Sequence, residues 1–83
     1  MKIKVRYFAS IREALGSGEE LELPQGATVG DLRGLLIDRG PSHAAALARG
    51  KALRCALDQT LCDEAATIAD GAEVAFFPPV TGG

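Results

Sequence analysis

The sequence predicts an α+β fold, one mixed sheet packed in two layers against one main helix. Apolar and polar residues alternate near both ends, the mark of half-buried strands. A central stretch spaces its apolar residues as a helix does, and 83 residues leave room for one domain with a single modest core.

Ile3, Val5 and Tyr7 share one face of the first strand, and Lys2, Lys4, Arg6 and Phe8 share the other. Ser10 followed by Glu13 has capping-box spacing, which predicts a short helix through Leu15, stopped by Gly16. Glu20-Leu21-Glu22-Leu23 alternates again before Pro24, and its closeness to the first strand predicts an antiparallel pair. Thr28 is the expected N-cap of the main helix, in which Val29, Leu32, Leu35, Leu36 and Arg39 make an apolar stripe with a cationic last turn. Gly40-Pro41 is expected to end it. Ser42 is placed to cap a second short, alanine-rich helix closing at Gly50, and Leu53 to Leu61 reads as a third strand. Asp70-Gly71 signals a turn into the last strand, Glu73 to Phe77, so the expected order is β-β-α-β-β with an extra short helix.

Alternation also decides where the aromatic residues point. With Val74 and Phe76 directed at the helix beside Ile3, Val5 and Tyr7, Phe77 and Phe8 point away from it. Should the first and last strands be parallel neighbours, both rings meet at one end of the sheet and Leu61 extends the patch. An apolar patch beside a projecting tail reads as a docking surface. The other reading is that one or both rings fold back over the sheet edge.

The tail itself is Pro78-Pro79-Val80-Thr81-Gly82-Gly83. Proline donates no ladder hydrogen bond, so the two prolines are expected to stop strand pairing and stiffen the last residues of the chain. The chain thus divides into a folded domain, 1–77, and an extended arm, 78–83. At about 3.1 Å per residue the arm reaches roughly 19 Å. Gly-Gly is the thinnest peptide available, able to enter a channel closed to any other pair.

Composition narrows the function. The net charge is −2 with a pI near 5.2, and Lys and Arg are dispersed, so no basic stripe invites nucleic acid. No apolar run approaches the roughly 20 residues of a membrane-spanning helix, and Met1 to Arg6 lacks a signal-peptide core, so no membrane role and a cytoplasmic location are expected. Cys55 and Cys62 lack metal-ligand spacing and are expected to be reduced, half-buried thiols. His43 has no acid or thiol near it in sequence and reads as a surface helix position without a role.

The stretch Asp70-Gly71-Ala72-Glu73-Val74-Ala75-Phe76-Phe77-Pro78-Pro79-Val80-Thr81-Gly82-Gly83 resembles the C-terminal signature of the MoaD family, the small sulfur-carrier subunits of molybdopterin synthase, within the MoaD/ThiS ubiquitin-like group. Phe8-Ala9 with Arg12-Glu13, Thr28-Val29 with Asp31-Leu32, and Leu57-Asp58-Gln59-Thr60-Leu61 also fit that family, so the resemblance spans the chain. It departs at Asp58, where the family often has asparagine, and in the alanine-rich region 42–50.

The resemblance implies a β-grasp fold and a carrier chemistry. An E1-like adenylyltransferase of the MoeB type converts Gly83 to an acyl-adenylate with ATP, and a sulfur donor enzyme then yields a thiocarboxylate. By the same resemblance the arm, Pro78 to Gly83, enters the large MoaE-type subunit, where sulfur passes to cyclic pyranopterin monophosphate. On this reading Gly83 carries the reacting group and Gly82 the slim approach, while Phe8, Leu61, Phe77, Pro78, Pro79, Val80 and Thr81 contact the partner. Catalytic side chains belong to the large subunit, in a two-plus-two assembly. The chain binds no cofactor itself, ATP being used by the adenylating partner. Two other readings stay open: a related carrier serving thiamine or tRNA thiolation or acting as a ubiquitin-like modifier, and a plain binding module with an inert tail.

Overall fold

The computed structural model describes residues 1–79. Eight elements follow one another: β1 (Lys2–Tyr7), α1 (Ala9–Leu15), β2 (Gly18–Glu22), α2 (Val29–Ile37), α3 (Pro41–Leu47), β3 (Arg54–Leu57), β4 (Thr60–Cys62) and β5 (Glu73–Phe77). The strands form one sheet in the order β2-β1-β5-β3-β4. β1 and β5 are parallel at its centre, and the other neighbours are antiparallel.

The period-two pattern decides what faces the helices. Ile3, Val5 and Tyr7 from β1 and Val74 and Phe76 from β5 are all buried, meeting Val29, Leu32 and Leu36 of α2, Ile11 of α1 and Leu47 of α3. Each large apolar side chain so covered contributes about 1.5–3 kcal/mol. Thr28 caps α2 as expected: its hydroxyl accepts from Asp31 N, and the Asp31 carboxylate accepts in turn from Thr28 N. The segment 64–68 runs beside this end, with Val29 N and Gly30 N donating to the carbonyls of Ala66 and Glu64. The first-turn donors, which have no partner within a helix, are thereby satisfied.

Several local expectations are corrected. The span Leu53 to Leu61 is not one strand but most of a hairpin, β3 and β4, turning on Asp58 and Gln59 at φ 48° and 69°. Two consecutive positive φ values are what the type I′ form of a two-residue hairpin turn requires, and Asp accepts that conformation more readily than most residues. Asp58 is further held by Glu73, whose backbone N–H donates to its carboxylate while Asp58 N donates to Glu73 O.

Neither serine is a cap. α1 begins at Ala9, after an extended Phe8, so Ser10 already lies within the helix. α3 begins at Pro41, with Gly40 in the cap position, and closes at Leu47 rather than Gly50. Proline at the first helical position has no N–H to leave unsatisfied, which makes that start favourable without a side-chain cap.

The stripe on α2 also differs. Leu35 is exposed and Arg33 is buried, so the inner face is Val29, Leu32, Arg33 and Leu36, at the i, i+3, i+4, i+7 spacing of a helix. α2 ends at Ile37 and carries no basic residue in its last turn. Arg39 lies beyond it and pairs with Glu19 at 2.8 Å.

Arg33 is tolerated inside because each nitrogen of its guanidinium has a partner. Nε donates to Leu47 O at 2.8 Å, and the terminal nitrogens reach Ala48 O, Lys51 O and the Glu64 carboxylate. A buried cation without such partners would be expelled or neutralised. Here it ties α2 to the chain that leaves α3.

Candidate functional site

The outer face of the sheet divides by charge. On β1 and β2 it carries Lys2 opposite Glu22 and Lys4 opposite Glu20, opposite-charge pairs that suit a solvated surface. From β1 toward β4 a different row crosses the sheet: Arg6 stands opposite Ala75, Ala75 opposite Ala56, and Ala56 opposite Leu61. The two alanines are short, and they leave a hollow.

Phe8 and Phe77 rise beside that row. Tyr7 and Phe76 are register partners directed inward, so the next residue of each strand faces outward, and Phe8 N donates to Phe76 O at 3.2 Å. The hollow is about 380 Å³, lined by Arg6, Phe8, Ala56, Gln59, Leu61, Glu73, Ala75 and Phe77. Leu61 is 68% exposed and Phe8 41%, while Phe77 is half-buried. The expectation that these three residues share one surface is met, and neither ring folds back to cover the other side of the sheet.

Arg6 borders this surface. Its guanidinium lies 5.8 Å from the centre of the Phe8 ring and 3.6 Å from the Glu73 carboxylate. A cation over an aromatic face is attracted by the ring's quadrupole, so the apolar wall comes with a positive edge.

Pro78 and Pro79 follow β5 directly, outside any strand and half-buried. They therefore leave the sheet beside Phe77 and Phe8, which places the departure of the tail next to the hollow. Val80, Thr81, Gly82 and Gly83 lie outside the described residues.

A second cluster was missed by sequence reasoning. Glu19 sits on β2 opposite Val5 and points inward, where Tyr7 OH donates to its Oε2 at 2.7 Å. His43 Nε2 lies 2.9 Å from the same oxygen, and Arg39 donates to Oε1 at 2.8 Å. The His43 and Tyr7 rings meet edge to face at 6.5 Å. Burial pushes the Glu19 carboxyl up, but the bonds from His43 and Tyr7 and the charges of His43 and Arg39 outweigh it and hold the carboxyl below its ordinary value. Burial first, then the bond to Glu19, pushes the Tyr7 phenol far up.

This cluster faces the helices, not the hollow, and its groups are tied to one another. An inward charge on an edge strand also discourages pairing with another sheet. His43 is thus a partner of Glu19, not a bare surface residue; the alternation of Glu19 with Leu21 on one face was the available signal. Among the described residues no group of three or more His, Cys, Asp or Glu side chains is arranged to hold a metal, and no helix is long and apolar enough to cross a membrane.

Sheet order, helix placement and the aromatic outer face define a ubiquitin-like protein of the β-grasp class. The chain belongs to the ThiS family, whose model matches residues 5–83. It is 43% identical over 81 residues to the molybdopterin synthase sulfur carrier subunit of Escherichia coli, covering 98% of this chain and 99% of that one. In three dimensions it resembles SAMP1 from Haloferax volcanii, a small archaeal modifier protein, with a TM-score of 0.79, 26% identity and complete coverage of both chains (100% and 100%). It also resembles a chain in the complex of subunits 1 and 2 of the molybdopterin-converting factor from Helicobacter pylori, with a TM-score of 0.69 and 25% identity, again covering 100% of each chain.

Proposed function

We propose that this protein is the sulfur-carrying small subunit of a molybdopterin synthase, loaded at Gly83 and docked on a large subunit through the hollow around Phe8, Leu61 and Phe77. The observation that carries the reading is the joining of two features at one end of the sheet, an apolar hollow and the departure of a Pro-Pro tail, in a chain 43% identical to a sulfur carrier subunit. The complex formed by the Helicobacter pylori subunits supports a large-subunit partner.

The chemistry is set by the terminus. An α-carboxylate has a pKa of about 3.5 and is anionic at neutral pH, so its carbonyl carbon resists nucleophiles. Activation by an adenylating partner of the MoeB type replaces a poor leaving group: the carboxylate attacks the α-phosphorus of ATP, pyrophosphate leaves, and an acyl-adenylate results. Sulfide-level sulfur delivered by a donor enzyme then attacks the acyl carbon, the acyl–phosphate bond breaks, and AMP leaves with the electron pair. The thiocarboxylate so formed is an anionic sulfur nucleophile suited to attack on cyclic pyranopterin monophosphate in the large subunit.

Within this scheme the chain supplies an acyl group, an arm and a docking face, and the partners supply the catalytic side chains and use the ATP. Ordering the six residues 78–83 costs about 1–2 kcal/mol each, which the prolines reduce by restricting the free arm beforehand. The protein acts in the cytoplasm and, once loaded by the adenylating partner and the sulfur donor, joins the large subunit in a two-plus-two assembly.

Intact-mass analysis after incubation with ATP, the adenylating enzyme and a sulfur source tests it. Replacement of one oxygen by sulfur at Gly83, with subsequent product formation from the pterin precursor and the large subunit, is the expected result. An unchanged mass overturns it.

The likeness to an archaeal modifier protein favours one further reading, conjugation of Gly83 to lysines. Isopeptide-linked Gly83 adducts in place of a thiocarboxylate would select it.

A further inference from the structure

The β3–β4 hairpin sets Cys55 directly opposite Cys62. Both side chains lie on the face away from Ala56 and Leu61, and their sulfurs are 3.8 Å apart with both thiols free. Opposed residues of antiparallel strands have Cα atoms about 4.5–5.5 Å apart. A disulfide spans roughly 4.4–6.8 Å between the same atoms. The two ranges overlap, so the pairing register admits a disulfide, with the strands joined by the turn at Asp58 and Gln59.

We propose that Cys55 and Cys62 are a thiol pair that closes reversibly into a cross-strand disulfide when met by a low-molecular-weight disulfide oxidant. The two thiols have different parts. Cys55 is buried in the core, and its Sγ donates to Cys62 O at 3.3 Å. Burial first, then its bond to Cys62 and the nearby charges of Cys62, Glu64 and Asp63, pushes the Cys55 thiol up to about 12. Cys62 is half-buried, the more accessible of the two residues, and is assigned the first encounter with the oxidant.

Cys62 as thiolate attacks one sulfur of the oxidant, the oxidant's S–S bond breaks, and one small thiol departs. Cys55 then gives up its proton and attacks Cys62 Sγ, releasing the second small thiol. Two protein S–H bonds and one S–S bond are lost, and one protein S–S bond and two S–H bonds are gained. Two electrons pass from the protein to the oxidant. Closure ties β4, a three-residue edge strand, to β3. It locks in place the hairpin that carries Leu61, next in sequence to Cys62.

The test uses the full chain equilibrated with glutathione and glutathione disulfide over a range of ratios, then acid-quenched for intact mass and peptide mapping. The expected result is the loss of two hydrogen atoms in a monomer, mapped to Cys55–Cys62 and reversed by excess dithiothreitol. In Cys55→Ser the second step is blocked, and one glutathione is expected to stay on Cys62. Persistent glutathionylation of the unaltered chain, a disulfide-linked dimer, or an unchanged mass at the most oxidising ratio would overturn the proposal. Because the unaltered chain decides the outcome, a folding defect in the variant leaves the test intact.

Discussion

Tyr7 and Phe76 face each other across the parallel β1–β5 pair, both directed into the core, and each is followed by a phenylalanine that faces the opposite way. Burial of the first pair thus fixes the outward direction of the second. The hollow at Phe8 and Phe77 is a geometric consequence of two strands in register, and its rings cannot turn inward without displacing core residues.

Phe77→Ala should therefore separate docking from folding. Its side chain stands on the outer face, so truncation is expected to cost less than about 1.5 kcal/mol of stability. Loss of an aromatic anchor at the centre of an interface is expected to weaken the complex with the large subunit by about 1–2 kcal/mol, near tenfold. Titration calorimetry, with circular dichroism as the folding control, checks both. Undiminished affinity would remove Phe77 from the interface.

Arg33→Ala is expected to be the more damaging substitution to the fold. It leaves the carbonyls of Leu47, Ala48 and Lys51 without their Arg33 donor and removes the nearer of the two arginines beside Glu64. A loss of about 2–4 kcal/mol in urea unfolding is expected. Arg49→Ala removes an exposed guanidinium 3.5 Å from the same carboxylate and should cost less than about 1 kcal/mol. Equal losses for the two would show that burial of Arg33 is not what matters.

These two sites mark what was legible in the sequence. Strand periodicity was enough to place Ile3, Val5, Tyr7, Val74 and Phe76 inside and Phe8 and Phe77 outside, because a period of two is a local property. Thr28 was legible for the same reason, its partner Asp31 being three residues away. Arg33 was not, since its place on the buried face becomes tolerable only through carbonyls 14 to 18 residues later in the chain. The hairpin turn was hidden because neither Asp58 nor Gln59 is glycine, and positive φ at such residues is held by tertiary bonds such as those to Glu73. Inward-pointing Glu19 likewise needed Tyr7, Arg39 and His43 from three other parts of the chain.

Glu19 should give the fold a recognisable acid dependence. Its carboxyl in the folded protein is held below the ordinary value of 4.5. A depressed carboxyl stabilises the fold fully above the unfolded value and loses that contribution as pH falls through the folded one. Stability is therefore expected to decline as pH drops below 4.5. Glu19→Gln keeps the size but removes the charge that accepts from Tyr7, His43 and Arg39. It should be less stable near neutral pH by about 1–2 kcal/mol, and flatter in the acid range. Denaturant unfolding at a series of pH values reads both, and an unchanged acid slope in the variant would assign the dependence to other carboxylates.

Deletion of Gly83 should uncouple binding from transfer. If affinity resides in the body, through Phe8, Leu61 and Phe77, one fewer residue at the end of the tail changes the dissociation constant for the large subunit by less than about threefold, under 1 kcal/mol. The acyl carbon, however, moves back by up to about 3.5 Å. Reacting atoms must come within roughly 3–3.5 Å in aligned geometry, so a shift of that size removes the attack distance entirely. Product formation from the pterin precursor is expected to fall to background even when the shortened chain is supplied as its thiocarboxylate. Supplying it in that form matters, because it bypasses the adenylating enzyme and isolates the transfer step. Retained product formation would mean that the reach of the arm is not what aligns sulfur with the acceptor, and the proposed role of Gly83 would fall with it.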